Sequence, residues 1–112
     1  MALITVNAGQ CGNQLGFDLT DMLFENTKQS PEDTEMFFRE SLSSSRQVAR
    51  AICLDTEPKA VVSCLHRSAR KPWQYDPTRC AYRHGGAGNN WAMGYNMCSG
   101  SFLEKSMDCI RS

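Results

Sequence analysis

The stretch Ala2-Leu3-Ile4-Thr5-Val6-Asn7-Ala8-Gly9-Gln10-Cys11-Gly12-Asn13-Gln14-Leu15-Gly16 decides the fold of this chain. Its first seven residues are uncharged and, apart from Asn7, apolar or β-branched. That composition predicts a strand buried on both faces, as in a parallel sheet. Glycines at 9, 12 and 16 follow, and then an amphipathic run. A strand, a glycine turn and a helix together form a natural anion site. Glycine lets the backbone come close to a phosphate, and the first N–H groups of a helix have no internal partner. The positive end of the helix favours negative charge there. The amides of Gln10, Asn13 and Gln14 can donate to phosphate or ribose oxygens and accept from a base. Neither G-x-G-x-x-G nor a following Gly-Lys-Ser/Thr is present. Taken alone, the turn therefore reads either as a nucleotide loop or as a tight structural turn.

A length of 112 residues allows one domain at most, with a core of modest size. The chain carries 12 basic and 12 acidic residues, so no bulk charge draws it to nucleic acid or to an anionic membrane. No apolar run approaches the roughly 20 residues of a membrane helix. The N-terminus has no basic region leading into an apolar one, so no signal peptide is expected. The six cysteines, at 11, 53, 64, 80, 98 and 109, include no C-x-x-C pair. An even count can mean disulfides in an oxidising compartment, but without an export signal reduced core thiols are the expectation. Cys64 with His66 and Cys80 with His84 are the only close pairs, a poor fit to zinc.

Beyond the opening stretch, a first helix is predicted from Gln10 to about Asn26. Leu15, Leu19, Met22 and Leu23 form its apolar stripe, and Phe17 and Phe24 a narrower second line. Residues 27–46 are mostly polar and read as a variable surface excursion. Met36-Phe37-Phe38 would pin it to the body, and Ser30, Pro31 and Asp33 would open a short helix within it. Gln47 to Leu54 reads as the second strand. Lys59 to Arg70 reads as a helix entered through Pro58, with Val61, Val62, Leu65 and Ala69 on one face and His66 partly exposed. Asp55 and Glu57 sit between that strand and helix. Capping accounts for one of them; a magnesium ion, bound directly or through water, would use both. Lys71 to Pro77 reads as a turn-rich crossover with Trp73 and Tyr75, and Thr78 to Tyr82 as a short third strand. His84-Gly85-Gly86-Ala87-Gly88-Asn89-Asn90-Trp91 is a second glycine-rich loop ending in side-chain amides. Residues 96–100 read as irregular. Phe102 to Arg111 is helical in pattern, with Leu103, Ser106, Met107 and Ile110 on one side and no cap at the end of the chain. The order is strand–helix three times over, an α/β arrangement. Each loop of chemical interest follows a strand, so in an open parallel sheet all three share one edge.

Gly9-Gln10-Cys11-Gly12-Asn13-Gln14, Asp55-Thr56-Glu57-Pro58 and Gly86-Ala87-Gly88-Asn89-Asn90-Trp91-Ala92 resemble, in the right order, the first three nucleotide loops of the tubulin family. The resemblance covers nearly the whole chain and is weakest over 27–46. Gly16-Phe17, Phe37-Phe38-Arg39-Glu40, Val48-Ala49-Arg50-Ala51, Glu57-Pro58-Lys59 and the run from Asn89 to Tyr95 look most like the delta branch, with the gamma branch the nearest competitor. The resemblance implies a Rossmann-like three-layer fold of the tubulin/FtsZ GTPase type, reduced to about three parallel strands and three helices, with GTP and Mg2+ as cofactors. It places Gly9, Gln10, Cys11, Gln14, Asp55, Ala87, Gly88 and Asn89 at the nucleotide and Glu57 at the magnesium ion. Gln10 resembles a phosphate and magnesium-side contact. Cys11 and Gln14 resemble contacts nearer the guanosine. Residues 87–89 resemble the loop that senses the terminal phosphate, and Trp91 looks like packing under it.

It also implies a cytoskeletal protein of the cytoplasm that assembles with other tubulins or with microtubule and centriole components, at the centrosome or basal body if delta-like. The sequence departs from the family in lacking the glycine–threonine-rich phosphate loop that should come next. It therefore resembles the opening segment of a tubulin, as a fragment, a truncated product or an incomplete gene model would. No catalytic residue is assigned to it, since hydrolysis in the family is completed by an acid from the next subunit. Three other readings stand beside this one. They are a gamma-like nucleation component, a nucleotide-linked α/β enzyme or thiol hydrolase using Cys11 with His66 or His84 as base, and an interaction fragment that associates through uncovered apolar faces.

Overall fold

The computed structural model describes residues 1–111. Three parallel strands form the main sheet: β1 (Thr5–Ala8), β4 (Ala51–Asp55) and β6 (Cys80–Tyr82), in the order β1-β4-β6. Thr5 stands opposite Ala51, and Cys53 opposite Cys80. α1 (Gly9–Thr27) and α3 (Pro58–Ser68) pack on one face, and α5 (Ser101–Arg111) covers β4 and β6 on the other. Successive residues of β4 divide accordingly. Ala51 and Cys53 join the core beneath α1 and α3, whereas Ile52 and Leu54 pack with Ala81, Cys109 and Phe102 beneath α5. This is the expected three-layer α/β arrangement.

A second sheet runs β2 (Phe38–Glu40), β3 (Gln47–Ala49), β5 (Trp73–Gln74), with the first pair antiparallel and the second parallel. The single strand predicted over 47–54 is therefore divided. At Arg50 the backbone changes neighbours: its N–H donates to Phe37 O at 2.8 Å, and its carbonyl accepts from Thr5 N at 3.0 Å. The 27–46 segment is structured in its first half. α2 (Pro31–Phe37) starts with Pro31 as expected, although the Ser30 side chain makes no capping bond. Phe38 is fully buried and pins the segment as anticipated. The predicted crossover at 71–77 supplies β5, because Trp73 is drawn into the core. α4 (Trp91–Met97) is a further helix that the sequence did not suggest, capped by Asn90 Oδ1 accepting from Met93 N at 3.1 Å.

The buried stripe of α1 overturns the expectation from hydropathy. Leu15, Leu19 and Met22 are 65%, 45% and 60% exposed. Asn13, Gly16, Phe17, Thr20, Phe24 and Thr27 face inward instead. Polar residues are tolerated there because each finds a backbone acceptor: Thr20 Oγ1 donates to Gly16 O, and Thr27 Oγ1 to Leu23 O, both at 2.7 Å. Gly16 is required for contact, since a β-carbon there would fall on the Asn7 side chain. β1 is likewise not buried on both faces. It lies at the sheet edge, where Asn7 faces α1 and is buried while Val6 is half exposed. In α3 the buried face is Ala60, Val61, Cys64 and Ser68, with Ala69 exposed. In α5 it is Ser106 and Cys109, with Leu103 and Ile110 largely exposed. The expected absence of a cap after α5 falls on Ser112, outside the described residues. Cys11, Cys53, Cys64, Cys80 and Cys98 are free thiols, and Cys53, Cys64, Cys80 and Cys109 are buried.

Aromatic rings bind the two sheets to α1. Trp73 lies 5.2 Å from both Phe17 and Tyr75, and Phe24 lies 5.4 Å from Phe38. Such pairs contribute about 0.5–1.5 kcal/mol each beyond their area. Trp73 Nε1 donates to Asp21 Oδ1 at 3.0 Å, and Lys71 Nζ reaches Asp21 Oδ2 at 2.8 Å. The Arg46 guanidinium gathers the carbonyls of Ser68, Lys71 and Trp73 at 2.6–2.9 Å and Gln74 Oε1 at 2.8 Å. It thereby closes the C-terminus of α3 and seats β5 beside β3.

Two predictions follow from this packing. Phe17→Ala should lower unfolding stability by about 3–5 kcal/mol, whereas Leu15→Ser should change it by less than about 0.5 kcal/mol. Denaturant titration decides it, and a larger loss in Leu15→Ser would reverse the assignment of the buried stripe. The second concerns acid. Burial raises the Asp21 carboxyl, but hydrogen bonds from Lys71 and Trp73 more than offset this and hold it below its ordinary 3.8. Asp76 is raised by burial and lowered further by Thr78 and Arg39. With folded values below unfolded ones, both acids stabilise the fold fully above the unfolded value. That stability is lost as pH falls through the folded values, below about pH 4. Asp21→Asn should flatten this acid loss in pH-dependent melts; an unchanged slope would show that the carboxylate is not coupled to folding.

Candidate functional site

The carboxyl ends of β1, β4 and β6 open onto one cleft of about 410 Å³, within the usual range of roughly 300–1,000 Å³ for small-molecule sites. Three loops meet there. From the first turns of α1 come Gln10 and Gln14. From the β4–α3 junction come Asp55, Thr56 and Glu57, with Lys59, Ala60 and Ser63 on α3. From the loop after β6 come Ala87, Gly88, Asn89, Asn90 and Trp91. The side chain of Asn13 holds the first two together, donating to Gly9 O at 2.7 Å and to Leu54 O at 3.0 Å. Backbone bonds tie the third to the second: Arg83 N to Asp55 O at 3.3 Å and Gly86 N to Thr56 O at 3.2 Å. Gly86, Gly88 and Asn89 all adopt left-handed backbone, with φ of 59°, 59° and 57°. Asn89 is the one non-glycine residue to do so among the described residues.

Of the residues singled out in the sequence, Gln10, Gln14, Asp55, Glu57, Ala87, Gly88 and Asn89 line the cleft. Gly9 forms the turn into α1 with φ of 77°, and Cys11 is an exposed thiol on the first turn; neither lines it. Neither His66 nor His84 hydrogen-bonds Cys11, so the pairing needed for a thiol hydrolase is not formed among the described residues. Trp91 does not pack under the loop. It is 79% exposed at the rim and stacks on Tyr95 at 5.2 Å, because the next turn of α4 offers a ring and nothing bulkier covers it. Arg83 turns away, its guanidinium donating to Met97 O at 2.8 Å. Lys59 is thus the one Lys or Arg lining the cleft. Thr56, Ser63 and Asn90 are lining residues that sequence reasoning did not single out as ligands. The i, i+4 spacing of Lys59 and Ser63 along a helix that starts at Pro58 was the available signal for Ser63.

The two carboxylates have different duties. Asp55 Oδ1 accepts from Glu57 N at 3.2 Å and so organises the turn. Glu57 occupies the N-cap position of α3, yet its side chain makes no capping bond and accepts no hydrogen bond among the described residues. It rests against Gly86, in the space a β-carbon would fill. An exposed carboxylate with free oxygens, ringed by neutral amides and one ammonium, fits a hydrated divalent cation beside phosphate oxygens. The α1 N-terminus adds uncapped N–H groups and has no acid in its first turn. The set fits the phosphate and cation end of a nucleotide.

Residues 2–112 match the Tubulin/FtsZ family, GTPase domain. The chain is 35% identical over 125 residues to a protein named "Tubulin delta chain" from Macaca fascicularis, covering 99% of this chain and 27% of that one. It is 34% identical to the human protein of that name over the same shares, and 34% identical to the mouse protein over 100% of this chain and 28% of the other. The chain therefore spans little more than a quarter of the length of these relatives.

Asn13→Ala should cost about 1–3 kcal/mol, since it leaves the Leu54 carbonyl without its side-chain donor. It should also speed hydrogen exchange in 9–14 and 55–57 together. Faster exchange in only one of these segments would show that Asn13 does not join them.

Proposed function

The chain belongs to the Tubulin/FtsZ family, and on that premise we propose that residues 1–112 form the N-terminal part of a GTP-binding domain, whose cleft takes the phosphate and magnesium end of GTP. Gln10 and Gln14 donate to phosphate and ribose oxygens from α1. Ala87, Gly88 and Asn89 face the terminal phosphate. Gly9 lets the backbone approach, Asp55 shapes the turn that presents Glu57, and Cys11 lies toward the guanosine. Glu57 faces the magnesium ion, directly or through water. The ion would supply charge neutralisation between phosphate oxygens. The observation that carries this reading is the Glu57 carboxylate, free of any capping bond, in the one cleft where all three loops meet.

The protein is read as a tubulin-family cytoskeletal component. Its similarity to delta chains over nearly its whole length supports a delta-like role in microtubule, centriole and basal-body organisation, in the cytoplasm and at the centrosome. Its partners would be other tubulins or microtubule components. Exposed Leu15, Leu19 and Met22 on α1 and Val6 on β1 support association through uncovered apolar faces.

One titration tests the site. GTP added to the isotope-labelled chain should shift amides of 9–14, 55–57 and 87–90, with a dissociation constant no tighter than about millimolar, near −4 kcal/mol. Weak binding is expected because the cleft offers a single ammonium to a polyphosphate. Magnesium should strengthen binding in the parent and have little effect in Glu57→Ala, whose melting temperature should stay close to the parent's. Shifts confined to other surfaces, or equal magnesium dependence in the two chains, would sink the assignment.

A further inference from the structure

We propose that Gly86 is a positioning residue whose missing β-carbon forms the seat for the Glu57 carboxylate, so that the acid facing the cation and the loop facing the terminal phosphate form one latch. The part played by the cation rests on the functional reading above. The seat itself rests on geometry. A β-carbon built on Gly86 would overlap Glu57 Oε1 and lie 2.8 Å from its Cδ and Cγ. Gly100, outside the cleft, has a φ of 64°, and a β-carbon there would meet nothing within 4 Å. The two glycines thus share one backbone demand and differ in what they leave room for.

Two constraints fix Glu57. Pro58 restricts the residue before it to extended backbone, and Glu57 has φ −125° and ψ 147°. With no hydrogen bond to hold it, the side chain is located by its packing on Gly86. The loop is held in turn by Gly86 N donating to Thr56 O, one residue before Glu57. Displacing the 84–90 loop therefore removes the seat, and the carboxylate regains its rotamers. By reciprocity, whatever ligand favours the seated carboxylate favours the closed loop to the same degree. A cation at Glu57 and a phosphate at residues 87–89 would bind cooperatively through this contact.

Gly86→Ala and Gly100→Ala form a matched pair. Each places a β-carbon on left-handed backbone, so both should melt lower than the parent by a similar amount. Only Gly86→Ala evicts the Glu57 carboxylate. Mn2+ serves as a paramagnetic probe on the labelled chain with GTP present. The parent and Gly100→Ala should show line broadening centred on 55–57 and 86–89. Gly86→Ala should need about tenfold more Mn2+ for the same broadening. Without metal or nucleotide, Glu57→Ala should shift the amide of Gly86 and leave that of Gly88 unmoved. Broadening in Gly86→Ala at the parent's Mn2+ concentration, or an unmoved Gly86 amide in Glu57→Ala, overturns the latch alone. A parent chain without broadening at these residues overturns the cation reading and the latch with it.

Discussion

The arrangement of the cleft depends on one buried amide. Asn13 sits in the first turns of α1, almost completely out of solvent, and its Nδ2 bridges the carbonyl of Gly9 and that of Leu54. One end of that bridge is the turn leaving β1, and the other is the last residue but one of β4. An apolar side chain in its place would take from the Leu54 carbonyl its side-chain donor, at a cost of about 1–3 kcal/mol. The amide is not fully satisfied itself, since Asn13 Oδ1 has no hydrogen-bond partner among the described residues. The position keeps a polar group because that group sets the distance between two loops.

The same helix approaches the sheet closely because of what is missing from it. Gly16 stands where any side chain would strike Asn7, so α1 lies low over β1. Phe17, next in sequence, then reaches the ring cluster of Trp73 and Tyr75, and Arg67 lies over its face at 4.1 Å. The second sheet is built onto the first through Arg50, where the chain passes from one set of backbone partners to the other. Arg46 closes the far side by binding carbonyls, with no carboxylate among its hydrogen-bond partners. The body beneath the cleft is thus joined by local contacts, and the cleft's geometry follows from them.

Chemically, the site is asymmetric. It offers several neutral amides, helix N–H groups and carboxylates, and one ammonium. Such a set neutralises a polyphosphate poorly without a cation, because desolvating the phosphates against carboxylates is unfavourable. On the proposed reading, a divalent ion would reverse this by turning Glu57 from a repulsive group into a ligand. That dependence would make the seat of Glu57 matter more than the number of donors around it.

The chain by itself determined the α/β class, the three loops and their shared edge, because strand–glycine–helix order and right-handed crossovers leave few alternatives. Gln10, Gln14, Asp55, Glu57 and 87–89 were legible as loop residues of that edge, marked by a helix start, a strand end before proline and a glycine-rich run in which Gly86, Gly88 and Asn89 are left-handed; their place at a nucleotide came from the resemblance. Tertiary structure alone decided which face of α1 is buried. Leu15 and Leu19 outrank Asn13 and Thr20 in hydropathy, yet the polar residues go inward because their hydrogen bonds close on nearby carbonyls and Gly16 admits the sheet. It also decided the division of 47–54 between two sheets, the recruitment of Trp73 as a strand residue and the outward turn of Trp91. Each of these depends on a partner distant in sequence, and residue order carries no signal for a neighbour brought near only by folding. The contact between Glu57 and Gly86 is of the same kind. The two residues lie on separate loops, and what joins them is a space that only the folded chain defines.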